Sequence, residues 1–190
     1  RRNRRTFPRL RAALAATAAS GTPPELRAAG ALCCREACEV DPERGTELVA
    51  ELQEYLAAAP EAPAAAAEAL AAIGALCDAD VLDFYRAWAV VRGVGGLGSR
   101  PEDGLVAEQW ARLLGRGAAD APARAEEAGP GEVLGLLWGA AREGSANVRA
   151  AAYQSLSGFA PDPETGELGE GEPPGAAAAR LLAEAGAAEG

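Results

Sequence analysis

Two short amphipathic helices joined by a tight turn constrain the fold of this chain more than any other feature. They occupy residues 66–88, with the sequence AAEALAAIGALCDADVLDFYRAW. Apolar side chains recur at three- and four-residue spacing in both halves, which is the pattern of one buried helix face. A hairpin of this size cannot bury its own apolar stripe and must pack on neighbouring hairpins. The sequence therefore predicts a stack of helix pairs.

The rest of the chain repeats this pattern, and no segment shows the apolar–polar alternation of a β-strand. Further apolar faces are predicted at Leu26, Gly30, Cys33, Ala37 and Val40; at Leu48, Leu52, Tyr55 and Leu56; at Val106, Trp110, Leu113 and Leu114; at Leu134, Leu137 and Trp138; and at Val148, Ala152, Leu156 and Phe159. We predict an all-α fold, an irregular α-solenoid of HEAT/ARM-like antiparallel helix pairs. Its core should include Leu70, Ile73, Leu76, Phe84, Trp88, Leu137, Trp138, Leu156 and Phe159.

Residues that favour helix ends lie between these faces. The predicted starts are a Thr22–Glu25 capping box with Pro23 at the first helical position, Asp41-Pro42, Asp78 or Asp80 before the aromatic helix, a Ser99–Glu102 capping box, Pro130 with Glu132, and Ser145. Composition divides the chain into a basic segment (1–21), a helical repeat region (22–160), an acidic Pro/Gly/Glu-rich loop (161–175) and the start of a further helix (176–190).

A weak internal repeat favours a stack over a closed bundle. The positions of Ala152, Ser155-Leu156 and Phe159 match those of Ala66, Ala69-Leu70 and Ile73 at a shift of 86 residues. Half of that shift is close to the length of about 40 residues typical of helix-pair repeats.

Charge is distributed unevenly along the chain. The net charge is −10, all 18 basic residues are Arg, and the chain contains neither Lys nor His. Six arginines lie in the first eleven residues, where no acid occurs. The acidic remainder argues against direct nucleic-acid binding, which needs clustered cations. No apolar run is long enough to span a membrane. The basic start fits either an organellar targeting segment or an exposed helix of a longer chain.

Three patterns suggest a binding or metal site, and each has a structural explanation. Gly93, Gly95 and Gly98 spell G-x-G-x-x-G, but an aromatic helix precedes them where a dinucleotide site needs a strand, which favours a flexible connector. Four cysteines (Cys33, Cys34, Cys38 and Cys77) include no CxxC pair, and Cys33 points about 100° away from Cys34. We therefore predict buried free thiols in a reducing compartment and no metal.

Carboxylates and aromatic residues are also explained by structure. Asp78 and Asp80 lie where helix caps belong, and Asp83 is predicted in the first turn of the aromatic helix, where negative charge complements the helix dipole. General acid–base catalysis lacks its usual partners here. Aromatic side chains at helical spacing fill gaps between alanine-rich helices; they are Phe84, Tyr85, Trp88, Trp110 and Trp138. Arg86 and Arg92 are the predicted exposed pair beside them. We predict no catalytic residues, no cofactor-binding residues and no metal ligands.

Three segments resemble the focadhesin family, which includes animal focadhesin and the plant resurrection-1 protein. They are CEVDPERGTELV (38–49), ALAAIGALCDADVLDFYRAW (69–88) and LGLLWGAAREGSANVRAAAYQSLSGF (134–159). The family carries a similar LCxAxVxDFYxAW block, which Leu76–Trp88 matches, downstream of a CxxxPxxG helix start. The likeness covers residues 26–160 and leaves the Arg-rich start unmatched.

The resemblance implies a piece of a long HEAT/armadillo-like protein, a cytoplasmic, non-enzymatic adaptor linked to the exosome and its Ski helicase complex. The expected partners are other proteins, such as exosome and Ski components, without direct nucleic-acid binding. An acidic concave surface would favour basic partner segments. The alternative is an organelle-targeted or nucleic-acid-associated repeat protein that uses the Arg-rich arm.

Overall fold

Helices account for most of the described chain. The computed structural model describes residues 6–94, 96–118 and 128–159, and none of them forms a strand. The helices are α1 (Phe7–Ala18), α2 (Pro24–Val40), α3 (Pro42–Gly45), α4 (Val49–Ala57), α5 (Pro63–Asp78), α6 (Phe84–Val91), α7 (Gly104–Gly115), α8 (Ala128–Glu143) and α9 (Ala146–Leu156). Two 3₁₀ turns, Thr46–Leu48 and Arg116–Ala118, precede α4 and follow α7. The predicted all-α class is confirmed.

Four of these helices pack side by side in chain order, and we call them the second-helix row. In this row α2 packs on α5, α5 on α7, and α7 on α9. Their first residues are Pro24, Pro63, Gly104 and Ala146, so successive members begin about 40 residues apart. The helix preceding each member (α1, α4, α6 and α8) lies in a second layer, with α1 on α2, α4 on α5 and α8 on α9. The fold is consistent with an α-solenoid, and the HEAT/ARM type stays a prediction.

Small side chains allow the second-helix row to pack closely. Helix α5 buries mainly alanine and glycine around its larger residues; its buried set is Ala65, Ala66, Ala67, Ala69, Leu70, Ala72, Ile73, Gly74 and Leu76. Gly30 of α2 fits against the Thr17 and Tyr55 side chains, where a methyl group would clash. Any larger residue at Gly30 would have to push α1 or α4 away.

Polar contacts tie each helix pair to the next. The Tyr55 hydroxyl donates to the Leu14 carbonyl at 3.0 Å, and the Ser155 hydroxyl donates to the Ala111 carbonyl at 2.8 Å. Arg116 Nε donates to the Gly74 carbonyl at 3.0 Å. These partners are 41, 44 and 42 residues apart. Each bond therefore fixes the register of one helix pair against its neighbour.

The predicted core is buried with one exception, Trp138, which is only partly buried on α8. The predicted face of α2 is right at Gly30, which is buried, and at Ala37, which is partly buried, but it is wrong at Leu26, Cys33 and Val40. Leu26 and Val40 are 50% and 64% exposed, whereas the buried residues of α2 are Arg27, Gly30, Ala31, Cys34 and Cys38. Helix α2 carries two stripes of small and apolar residues, and its interior contacts select the stripe with the smaller side chains.

Several predicted helix starts are also wrong. Asp83, not Asp78 or Asp80, caps α6, and its carboxylate accepts from the Arg86 N–H at 2.8 Å. Asp103 caps α7 by accepting from the Leu105 and Val106 N–H groups, so the Ser99–Glu102 box does not form. Helix α2 begins at Pro24 without a side-chain cap, and the Thr22 hydroxyl donates to the Ala16 carbonyl instead.

Other predicted boundaries hold. Asp41 separates α2 from α3, and Ser145 precedes α9, although neither makes a side-chain cap hydrogen bond to the helix that follows. The start predicted at Pro130 is two residues late, because α8 begins at Ala128. Asp78 is the last residue of α5, and Asp80 has a positive φ of 55° in the turn that closes this helix.

The predicted segment boundaries remain predictions. Helix α1 lies within the basic segment 1–21, yet it packs on α2 and α4 and buries Leu14 and Ala18. The acidic loop at 161–175 and the helix start at 176–190 lie outside the described residues. None of the described helices is long and apolar enough to cross a membrane.

Replacing Trp88 by Ala should lower the free energy of unfolding by about 3–5 kcal/mol, because its indole is 2% exposed and packs edge-to-face on Trp110 at 6.3 Å. Urea denaturation followed by circular dichroism measures the loss. The partly buried Trp138 provides the control, since Trp138→Ala should cost less. Equal losses for the two variants would contradict this account of the core.

Candidate interaction surface

A groove of about 420 Å³ runs across the exposed side of α2, α5 and α7. Its floor is formed by Ala71 and Ala75 of α5, and its walls carry charged side chains from all three helices. The lining residues are Arg35, Glu39, Pro42, Ala71, Ala75, Asp78, Ala79, Gln109, Arg112 and Arg116. Alanine keeps the floor low because its side chain ends at Cβ. The groove is thus a shallow channel with polar walls.

The arginines of the groove are paired with neighbouring carboxylates. Arg35 of α2 lies 2.8 Å from Glu68 of α5, and Arg112 lies 2.8 Å from Glu108 one turn earlier on α7. The groove is therefore close to charge balance, and an acidic concave surface stays a prediction. A ligand would meet fixed donors and acceptors rather than a strong field of one sign.

Arg116 makes the densest set of contacts in the groove. Its Nε and Nη2 donate to the two carboxylate oxygens of Asp78 at 2.9 and 2.8 Å. Nε also donates to the Gly74 carbonyl, and Nη1 donates to the Arg112 carbonyl at 2.8 Å. Cations are favourable at helix C-termini, and this guanidinium donates to backbone carbonyls in the last turns of both α5 and α7. Gly74 makes room for it, because a Cβ there would lie 2.7 Å from Cζ.

A second cavity of about 680 Å³, which we call the end pocket, opens beside Arg116 at the C-terminal end of α5. The predicted acids Asp78, Asp80 and Asp83 all line it, together with Cys77 and Phe84. Asp83 is occupied as the α6 cap and Asp78 as the partner of Arg116. The three acids are thus brought together, but two of them have structural roles.

The cysteines divide into buried and accessible thiols. Cys34 and Cys38 are fully buried on one face of α2, Cys33 is exposed on another, and Cys77 is half-buried. Burial raises the pKa of Cys34 to about 12 and that of Cys38 to about 11, so both stay protonated near neutral pH. Over residues 6–94, 96–118 and 128–159, no three His, Cys, Asp or Glu side chains cluster as metal ligands.

The glycine-rich connector is more compact than the sequence indicates. Leu97 is buried, and its carbonyl accepts from Trp110 Nε1 at 2.9 Å. A Cβ at Gly98 would lie 2.8 Å from the Arg92 carbonyl oxygen, so this glycine allows a close backbone approach. Helix α6 precedes the motif where a dinucleotide site needs a strand. Gly95 lies outside the described residues.

The aromatic and arginine candidates are separated by burial. Phe84, Tyr85, Trp88 and Trp110 are buried, and the Tyr85 hydroxyl donates to the Gly117 carbonyl at 3.1 Å. Arg86 and Arg92 are exposed as predicted, and Arg92 pairs with Glu132 of α8 at 2.8 Å. Sequence reasoning missed Arg116, because a single arginine after a helix has no pattern that reveals its three partners.

One family model matches residues 1–156, and its description is Focadhesin/RST1, DUF3730. The chain belongs to the focadhesin/RST1 family. The match includes the Arg-rich start, so the likeness begins earlier than residue 26, where the sequence motifs placed it. No curated protein and no solved structure matches the chain.

Replacing Arg116 by Ala should lower the free energy of unfolding by about 1–3 kcal/mol, because it leaves the Asp78 carboxylate unpaired at a helix C-terminus and removes bonds to two carbonyls. Arg112→Ala is the matched control, since Arg112 makes an exposed ion pair within one helix that should contribute at most about 0.5 kcal/mol. Urea denaturation of both variants tests the difference. Equal stability of the two variants would refute the role assigned to Arg116.

At pH 8 a thiol-specific dye should label Cys33 first, whereas Cys34 and Cys38 should react only after unfolding, because they are buried and protonated.

The ordinary pKa of the Cys34 and Cys38 thiols is 9.0 and their pKa values in the folded protein are higher, so the folded state holds more protons than the unfolded state above pH 9. Stability should therefore fall as pH rises from about 9 towards 11. Urea denaturation at pH 8 and pH 10 tests this sign, and unchanged stability would contradict it.

Proposed function

We propose that this chain is a protein-binding scaffold without enzymatic activity, formed by HEAT/ARM-like helix pairs. The observation that carries the proposal is the groove across α2, α5 and α7, which stays open to solvent over the described part of the chain. A row of stacked repeats presents such a surface continuously, so a partner segment can contact several repeats at once. Family membership supports the same class of protein.

The chemistry of the chain supports a non-enzymatic role. The sequence contains no His and no Lys, which removes two common general bases and the Schiff-base nucleophile. The buried thiols of Cys34 and Cys38 are protonated, and Asp78 and Asp83 are engaged in helix-end contacts. Binding through fixed donors and acceptors is the activity that these residues can supply.

The partners we propose are other proteins, with components of the cytoplasmic exosome and Ski complex first among them. This identity rests on the family resemblance and gives the cytoplasm as the site of action. Basic segments of a partner would be steered towards the end pocket, which three carboxylates and one arginine line. Binding of such a segment should weaken as salt rises. At physiological salt the attraction between exposed charges is largely screened beyond about 8–10 Å.

Affinity purification of the full-length protein should recover other proteins, and Ala75→Glu should reduce their yield several-fold. Ala75 lies on the groove floor, so a glutamate there obstructs the groove without touching the fully buried core. Ala89→Glu, on the exposed side of α6, is the matched control and should leave the yield unchanged. Circular dichroism of both variants verifies the fold. Equal recovery from both would refute the assignment of the groove.

The rival function, nucleic-acid binding or organelle targeting through the Arg-rich arm, is tested separately. Deleting residues 1–20 is unsuitable because it removes α1, whose Leu14 and Ala18 are buried. Replacing Arg1, Arg2, Arg4 and Arg5 by Gln removes four charges and preserves this helix. The scaffold proposal predicts unchanged location and a partner yield that nuclease does not alter. Loss of organelle placement, or RNA binding at physiological salt that the variant abolishes, would favour the rival.

A further inference from the structure

Helix α1 is anchored by few buried side chains. Of its twelve residues, Leu14 and Ala18 are buried, whereas α5 buries more than half of its residues. Helix α1 packs on α2 and α4 and exposes most of its other side chains. Segments with little buried apolar surface are those that open most readily while the rest of a protein stays folded. The attachment of α1 therefore depends strongly on its polar contacts.

These polar contacts come from one face of α4. Arg11 Nε donates to Glu51 Oε1 at 2.8 Å, and the Tyr55 hydroxyl donates to the Leu14 carbonyl at 3.0 Å. The Thr17 hydroxyl lies 2.6 Å from the Tyr55 hydroxyl. Arg11, Leu14 and Thr17 follow one another at three-residue spacing along α1. Anchors at such spacing are the means by which a groove recognises a bound helix.

The surface that receives α1 consists of Gly30 of α2 with Glu51 and Tyr55 of α4, and we call it the α1 seat. A Cβ at position 30 would clash with the Thr17 and Tyr55 hydroxyls. Gly30 therefore leaves the space that Thr17 occupies. The seat accepts a helix that carries a small or hydroxyl side chain at this point and an arginine near Glu51.

Glu51 has an unused acceptor in the seat. Its side chain is 8% exposed, and only one of its two oxygens is bonded to Arg11. The other oxygen, Oε2, is buried and has no hydrogen-bond partner in the part of the chain that the structure describes. A guanidinium can donate to both oxygens of a carboxylate, and a buried acceptor left unpaired is unfavourable. Helix α1 thus fills the seat without using all of its binding capacity.

The link between α1 and α2 allows α1 to leave the seat. Ser20, Gly21 and Pro23 of this link are exposed. Gly21 has a positive φ of 85°, and a Cβ built there would meet no atom within 4 Å. A few linker residues of this kind can absorb the change in backbone angles when a helix moves. Helix α2 can therefore stay in the second-helix row while α1 opens.

We propose that the α1 seat is a binding site for an arginine-bearing amphipathic helix of another protein, with α1 as the built-in competitor that occupies it. The inference goes beyond the scaffold function, because the seat lies between α2 and α4 and shares no residue with the groove. The partner helix carries an arginine, an apolar residue three positions later and a small or hydroxyl residue six positions later. Glu51 selects arginine over lysine, because only a guanidinium donates in the paired geometry that fits a carboxylate.

Hydrogen exchange of the 190-residue chain, followed by mass spectrometry, tests whether α1 opens. We expect α1 amides to exchange at least about tenfold faster than α5 amides. Arg11→Ala should accelerate α1 exchange at least about tenfold further, because it leaves the buried Glu51 without its cation. Arg9→Ala is the matched control on the same helix, since Arg9 is exposed, and should change the rate by less than about twofold. Equal protection of α1 and α5 would overturn the proposal.

A fluorescent peptide with the sequence of residues 6–20 tests the seat itself. The receptor is the 190-residue chain carrying Arg11→Ala and Leu14→Glu, whose own α1 is unfit for the seat, and circular dichroism verifies its fold. Fluorescence anisotropy should show binding of the peptide, weakened at least about tenfold by Arg11→Gln in the peptide. Adding Glu51→Gln to the receptor should remove the difference between the two peptides. Equal binding of both peptides to the receptor with Glu51, or binding of neither, would overturn the proposal.

Discussion

The close approach of α2, α5, α7 and α9 is the constraint on which the rest of this structure depends. Large side chains would hold neighbouring helices apart, whereas alanine and glycine bring their backbones near enough for side chains of one helix pair to reach carbonyls of the next. The Arg116 bond to Gly74 and the Ser155 bond to Ala111 both need this proximity. The high alanine content thus has a mechanical role in addition to helix propensity.

The features that sequence could predict are those with local causes. Leu70, Ile73 and Leu76 are buried because periodicity alone places them on one face. The face of α2 was not predictable in this way, since two stripes compete and only contact with Tyr55 and α5 decides between them. The N-caps were mispredicted for a similar reason. Several residues that could cap a helix lie within five residues of each helix start, and the packing of the helix decides which one does. The caps are Asp83 for α6 and Asp103 for α7.

The candidate site was less predictable than the fold. The groove depends on helices that are distant in sequence, and its main organiser, Arg116, draws on Gly74, Asp78 and Arg112. None of these contacts leaves a motif in the chain. The family block Leu76–Trp88 was visible because it is contiguous, and it contains the turn between α5 and α6 that forms one wall of the end pocket. Family membership and surface chemistry therefore had to be established from different observations.

The ladder of contacts between neighbouring pairs also bears on how the chain acquires its structure during synthesis. Arg11 meets Glu51, Tyr55 meets Leu14, and Arg92 meets Glu132, each over 40 or 41 residues. Such contacts close loops of nearly constant length, so no step of folding waits for a distant part of the polypeptide. As a ribosome releases the chain, each pair can dock once the following 40 or so residues have emerged. Assembly would then keep pace with translation, one pair at a time.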